Sequence, residues 1–168
     1  LHVLMGPGEI TERIGHLTLS IGPFSFLQTN SEMSEVLYDE IARQAALTGQ
    51  EKVLDLYCGV GAIGLYLARQ ARQVVGIEAI ADAVANAQRN AAANSISNAE
   101  FQCAEVEALS ILSLGAIDPD VIVLDPPRAG LHPRLLATLR ELRAPRIVYV
   151  SCNPAALARD LKALSDLY

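Results

Sequence analysis

The chain predicts an α/β fold, a mostly parallel sheet with crossing helices, preceded by a small β element and a helix. Three observations carry that expectation. Short apolar runs at 53–57, 74–78, 99–103, 121–125 and 146–150 alternate with helical stretches near 62–70, 80–94, 105–113, 133–142 and 154–165. Alternation of that kind reads as βαβ units feeding a parallel sheet. Chemistry-bearing residues follow three of the runs, at the strand ends where open α/β sheets bind ligands. Finally, 168 residues with 51% apolar content suffice for one domain with a real core.

The elements follow in order. Residues 1–28 read as a β element: Leu17, Leu19 and Ile21 alternate with polar neighbours, and Gly6, Gly8, Gly15 and Gly22 punctuate. This stretch is expected to be the remnant of a preceding β subdomain, with residues 29–168 as the main domain. Residues 30–47 read as an amphipathic helix with Met33, Val36, Leu37, Ile41 and Ala45 on one face. Thr29 and Glu32 have capping-box spacing, Asn30 is an alternative N-cap, and Gly49 is the expected stop. The alanine-rich stretch 79–93 suits a surface helix through Val84, Ala87, Gln88 and Ala91. The last run, Ile147–Val150, is apolar on both faces and belongs inside a sheet. Further strands are therefore expected after it. With Leu1 in place of Met, the chain reads as a fragment.

Composition excludes several classes. The net charge of -6 has the wrong sign for a protein that binds nucleic acid by bulk electrostatics, so any RNA needs local basic residues. Trp is absent and aromatics make up 5%, which predicts an aliphatic core. Cys58, Cys103 and Cys152 show no CxxC spacing, so no zinc or iron–sulfur site is expected. An odd cysteine count without a secretion signal fits a reducing cytoplasm. No apolar run approaches the roughly 18 residues of a membrane span. Nothing in the sequence indicates an oligomeric state.

Gly59-Val-Gly61-Ala-Ile-Gly64 matches GxGxxG between a strand and a helix. Glu78 ends the next strand, where a carboxylate can accept from both ribose hydroxyls of a nucleotide. These features fit either NAD or S-adenosylmethionine. Asp55, four residues before Gly59, tilts the choice to the latter, since D-x-x-x-G-x-G looks like the first motif of Rossmann-like methyltransferases. Asp125-Pro126-Pro127-Arg128 points the same way. Cys58, inside the turn, reads as a small packing residue. Glycines that serve only helix–strand packing are the bland alternative.

Phe24-Ser-Phe-Leu-Gln28-Thr-Asn30, Asp55-Leu-Tyr57-Cys-Gly59-Val-Gly61, Asp125-Pro-Pro-Arg128 and Ser151-Cys152-Asn153-Pro154 stand in an order and spacing that resembles the RNA uracil-5-methyltransferases, which make 5-methyluridine in tRNA and 23S rRNA. The resemblance covers about residues 10–165. It implies a Rossmann-like, S-adenosylmethionine-dependent methyltransferase domain whose last strands are missing. It also implies an RNA substrate, either rRNA or tRNA, and no membrane partner. Gln28, Tyr57, Gly59, Gly61, Glu78 and Asp125 would form the cofactor site, Cys152 the nucleophile, and Arg128 a charge stabiliser. No metal is implied. The family often has Asn where Ala62 stands. Its general base, a glutamate in a His-Val-Glu context, has no counterpart, because no Glu follows Glu141. On this basis the 168 residues alone are expected not to turn over.

The residue types suit that chemistry. A thiolate adding to carbon 6 of uracil makes carbon 5 nucleophilic toward a methyl sulfonium. The helix expected after Pro154 would bring amide groups near Cys152. Arg128 could neutralise an enolate or a phosphate, or simply form a surface salt bridge. His132 is expected to cap a loop or lie exposed, and Phe101 and Tyr149 to pack in the core, while Phe26 or Tyr57 would stack on a base. Three rival readings remain: a methyltransferase acting on an amino group or another RNA position, a non-catalytic cofactor-binding module, and an NAD-dependent dehydrogenase.

Overall fold

The computed structural model describes residues 8–23, 25, 27–28 and 30–167. A hairpin opens it, β1 (Ile10–Ile14) against β2 (Leu17–Ile21), antiparallel. Helix α1 (Ser31–Ala45) follows, then β3 (Lys52–Leu56), α2 (Ala62–Leu67), β4 (Gln73–Glu78), α3 (Ala81–Ala93) and β5 (Ala99–Cys103). A 3₁₀ turn (Val106–Ala108) precedes α4 (Ile111–Ile117), β6 (Val121–Leu124), α5 (Pro133–Leu142), β7 (Arg146–Tyr149) and α6 (Pro154–Leu164).

The five later strands form one parallel sheet in the order β5-β4-β3-β6-β7. From β3 the chain winds outward through β4 and β5, then returns to the other side for β6 and β7. The strand order therefore reverses at β3, and the carboxyl ends of β3, β4 and β6 bound the crevice where such sheets bind ligands.

Strand alternation divides the core into two layers. Val53, Val74, Val121 and Val123 face the hairpin, α1, α2 and α3; Leu54, Leu56, Val75, Ile77, Ile122 and Leu124 face α4, α5 and α6. All four residues of β6 are fully buried, as a strand covered on both faces must be. The hairpin is tied down by amides as well as by burial. Asn90 of α3 exchanges hydrogen bonds with the Ser20 backbone at 2.8 and 3.1 Å, and Asn94 with that of Thr18 at 2.9 and 2.8 Å. These side chains take the place of a third strand along β2.

Several expectations need correction. The buried stripe of α1 is Ser34, Tyr38, Ile41 and Ala45, while Met33 and Val36 are each 58% exposed. Tyr38 buries its ring, and Ser34 satisfies its hydroxyl on the Asn30 carbonyl, so the face turns toward them. Asn30 is the N-cap, accepting from the Met33 amide at 3.0 Å; Thr29, like Phe24 and Phe26, lies outside the described residues. The helix stops at Ala46, in a left-handed conformation, before Gly49 is reached. The helix expected over 105–113 is displaced to Ile111–Ile117. Ser110 and Ser113 form a reciprocal capping box that fixes its start. β7 is the outermost strand among the described residues, with Ile147 half-buried.

Candidate active site

Asp55 is the centre of the crevice. It is the next-to-last residue of β3 and fully buried, and its Oδ2 accepts from the Gly64 amide at 2.9 Å. Its Oδ1 is buried without a hydrogen-bond partner among the described residues. Burial pushes this carboxyl up to about 7, against the Gly64 bond and with help from the charges of Asp125 and Glu78.

The Gly59–Gly61 turn closes over it. Gly61 has φ +80, and a Cβ there would stand 2.8 Å from the Phe101 ring, so both backbone conformation and space require glycine. Glu78, at the end of β4, braces the turn. One carboxylate oxygen accepts from the Gly59 amide at 3.1 Å and the other from the Ile80 amide at 3.0 Å. Each oxygen retains a second lone pair for a ligand hydroxyl. Ile80, half exposed beside it, was not singled out from the sequence. Its signal was an apolar residue at the N-cap, a position that prefers polar side chains. Tyr57 has a left-handed backbone, φ +64, rare for an aromatic residue, and its hydroxyl donates to Glu107 at 3.1 Å. Cys58 is buried, and burial followed by the Asp55 and Glu78 charges drives its thiol well up, which suits a packing role. Ala62 is buried at the start of α2.

Asp125 follows β6, half-buried and hydrogen-bonded by the Gln28 side chain. Burial pushes its carboxyl up to about 6 despite that bond. Three carboxylates thus converge from adjacent strands, and no Lys or Arg salt bridge reaches any of them among the described residues. An unscreened acidic crevice with an orphaned buried oxygen fits a cationic ligand.

Arg128 is exposed and forms no salt bridge among the described residues. His132 is exposed and caps α5, its Nδ1 accepting from the Arg134 amide at 3.2 Å. Cys152 is exposed two residues past Val150, whose amide donates to Leu124 of β6 at 2.7 Å, so the thiol turn stands beside the Asp125 strand end. The Asn153 side chain bridges the two. Its carbonyl accepts from the Ala155 and Ala156 amides at 3.1 and 3.4 Å, and its Nδ2 donates to the Arg128 carbonyl at 3.0 Å. The helix-end amides expected to face the thiol are therefore engaged by Asn153. Phe101 is buried as expected; Tyr149 is half-buried and donates its hydroxyl to Asp160 at 2.8 Å. Asp160, fully buried, was missed in the sequence. It interrupts the buried stripe Ala156–Asp160–Leu164 of α6, and a carboxylate in an apolar stripe was the available signal.

Among the described residues no cluster of His, Cys, Asp or Glu could hold a metal ion, and no helix is long and apolar enough to cross a membrane.

Comparison with known proteins places the chain in a family. The chain is 48% identical over 165 residues to an uncharacterized RNA methyltransferase of Enterococcus faecalis, covering 98% of this chain and 36% of that protein. It is 45% identical over 167 residues to another from Chlorobaculum tepidum, covering 98% of this chain and 35% of that one. The chain thus spans about a third of the length of these relatives. Among solved structures, the Pyrococcus abyssi tRNA (uracil-54, C5)-methyltransferase in complex with S-adenosyl-L-homocysteine superimposes with a TM-score of 0.82 at 40% identity, over 95% of this chain and 38% of that one. Precorrin-8w decarboxylase of Methanobacterium thermoautotrophicum, at 20% identity and a TM-score of 0.68 over 87% of this chain and 76% of its own, shares the fold alone. The sequence profile of the tRNA (uracil-5-)-methyltransferases matches residues 21–168, and the chain belongs to that family.

Proposed function

We propose that the protein carrying these residues methylates carbon 5 of a uracil in RNA, rRNA or tRNA, using S-adenosylmethionine and a covalent adduct on Cys152. One observation carries the reading: an exposed thiol stands at a strand end beside a crevice of three carboxylates without a salt bridge among the described residues, one of them, Asp55, fully buried with an unpartnered oxygen. The relatives' RNA methyltransferase names and the S-adenosyl-L-homocysteine in the Pyrococcus abyssi enzyme support it.

Gln28, Tyr57, Gly59, Gly61, Glu78 and Asp125 would hold the cofactor, with Glu78 accepting from the ribose. The acidic crevice favours a sulfonium over its neutral product. When bound, the cofactor supplies an electrophilic methyl group. Cys152 adds as thiolate to carbon 6 of the flipped-out uracil, which forms an S–C bond and moves the ring electrons onto carbon 5 and oxygen 4. Arg128 stabilises the enolate charge. After methylation a base removes the carbon 5 proton, and the S–C bond breaks to release thiolate. Exposed cysteine and arginine side chains suit a substrate that arrives from solvent.

RNA also finds local positive charge here. Residues 126–168 hold seven of the thirteen Lys and Arg residues but only three of the nineteen Asp and Glu. Arg140, Arg143, Arg146 and Lys162 of these lie toward the amino end of β7, away from the thiol; Arg128 and Arg134, exposed and without a salt bridge among the described residues, carry the local positive charge on the thiol side in spite of the net charge of -6.

The test is trapping. A 5-fluorouridine RNA with cofactor should give a covalent adduct on Cys152, because fluorine at carbon 5 blocks proton removal. A peptide map showing no modified Cys152, alongside normal methylation of unfluorinated RNA, would move the nucleophile elsewhere.

A further inference from the structure

We propose that Asp160 is a positioning residue of this site. It locks the Arg128 loop to the Cys152 turn, so that guanidinium and thiol meet the target base at one fixed spacing.

The argument begins with what a buried carboxylate requires. Asp160 is fully buried, and a charge there persists only if it is hydrogen-bonded. Its three donors come from three different segments. The Leu131 amide, in the loop after β6, donates at 2.8 Å; the Tyr149 hydroxyl, from the end of β7, donates at 2.8 Å; Arg159, its neighbour on α6, donates through Nε at 2.8 Å. Burial alone would raise this carboxyl, but these bonds hold it below the usual range, so it is an anion at neutral pH.

Around it the loop is fastened to α6 at further points. Arg159 Nη2 donates to the Ala129 carbonyl at 2.9 Å, and Asn153 Nδ2 to the Arg128 carbonyl at 3.0 Å. Gly130 completes the seat. Its φ is +82, and a Cβ there would lie 2.5 Å from both Asp160 Oδ2 and Arg159 Nη2. The backbones of Arg128, Ala129 and Leu131 are therefore each hydrogen-bonded to Asn153 or α6, and Gly130 packs between them. The helix that starts one residue after Cys152-Asn153 thus carries the loop that bears Arg128, and Asp160 ties both to β7. None of these groups hydrogen-bonds Asp55, Glu78 or Asp125 among the described residues, and although the Tyr149 and Asp160 charges reach Tyr57, the bonds themselves hold the thiol side.

The proposal rests on Cys152 and Arg128 acting as described above. The experiment uses the protein carrying these residues, saturated with cofactor and 5-fluorouridine RNA, and measures the rate of adduct formation. Asp160→Asn should slow the adduct roughly 10- to 100-fold, the scale of a misplacement near 1 Å. Affinities for RNA and cofactor should stay within about twofold, since Asp160 is not among the side chains proposed to touch either ligand. Gly130→Ala, which lifts the loop from the other side, should give the same split. In an Arg128→Ala background Asp160→Asn should add little, because partners in one unit are not additive. An Asp160→Asn protein that forms the adduct at the wild-type rate overturns the proposal. So does an undiminished effect in the Arg128→Ala background, which would mark a merely structural carboxylate. Should Asp160→Asn fail to fold, Tyr149→Phe and Gly130→Ala decide in the same assay. A wild-type protein that forms no adduct at Cys152 overturns the proposed function itself, whereas a wild-type adduct indifferent to these variants overturns only the lock.

Discussion

The two halves of the crevice are built on opposite plans. On the β3–β4 side the polar groups, one fully buried and one partly, are bound to backbone: Asp55 to the Gly64 amide, Glu78 to those of Gly59 and Ile80. On the β6–β7 side the chemical groups, Arg128 and Cys152, are exposed, and their backbones are held from beneath by Asn153, Arg159 and Asp160. Under the proposed function, the difference matches what each half would receive. A small, constant ligand can be met by a preformed cradle whose own hydrogen bonds keep it in shape. A base swung out of an RNA chain must enter from solvent, so its reacting partners stay open and are aligned indirectly.

The comparison is broken most sharply at Cys152. Cys152→Ala should lower methylation of RNA by roughly 10³-fold or more, since nothing else in the pocket can activate carbon 5. Cofactor affinity by calorimetry should not change. A variant that methylates near the wild-type rate would leave the thiol half without its chemistry and return weight to an amino-group methyltransferase.

The next effect belongs to the cradle. Glu78→Ala should weaken S-adenosylmethionine binding by about 1.5–3 kcal/mol, the worth of hydrogen bonds to a charged group. It should also lower thermal stability, because the Gly59 and Ile80 amides lose their acceptor. Cys152→Ala, at an exposed position, should leave stability unaltered. If Glu78→Ala keeps full affinity and loses only stability, the carboxylate braces the turn and does not read the ribose.

The halves differ also in how far the sequence disclosed them. Fold and cradle were legible because they depend on local signals. The run Val121–Leu124 could only be a strand covered on both faces, and Asp55, Gly59, Gly61 and Glu78 lie at fixed offsets from predicted strand ends. What escaped depends on contacts between distant segments. Asn90 and Asn94 looked like polar helix residues until β2 was laid against them, 70 and 76 residues away. Asp160 became meaningful only with Leu131 and Tyr149 around it. In α1 the pattern misled because Tyr38 counts as half polar, although its ring is buried.

A smaller effect tests whether RNA lies over the thiol half. Arg134, exposed in the first turn of α5, forms no salt bridge among the described residues. Arg134→Ala should weaken RNA binding a few-fold and reduce the slope of log affinity against log salt by about 0.7–0.9, one phosphate contact. Arg69→Ala, past the end of α2 at the opposite edge of the sheet, should do neither. Equal effects from the two would mean that RNA is attracted by diffuse charge and not by this face.

The smallest effect concerns protons in the cradle. Asp55 and Asp125 are held up to about 7 and about 6, chiefly by burial, whereas both would ionise near 4 in the unfolded chain. Between those values the folded protein binds protons that the unfolded chain has released. Unliganded stability should therefore fall as pH rises from about 4 to 7 and level off above, a dependence that Asp55→Asn should flatten. A sulfonium in the crevice favours the ionised carboxylates, so its binding expels those protons. Affinity for S-adenosylmethionine should rise on the order of threefold between pH 5.5 and 8, an interaction softened by water at the half-open Asp125. S-adenosylhomocysteine, which lacks the methyl group and with it the charge at sulfur, should bind almost equally at both. The difference between the two ligands' pH profiles on the same protein, measured by calorimetry, isolates the charge, since the missing methyl contact does not titrate. Parallel pH profiles would mean that the carboxylates of the cradle do not sense the sulfur, and that Asp55 serves only to hold the glycine turn.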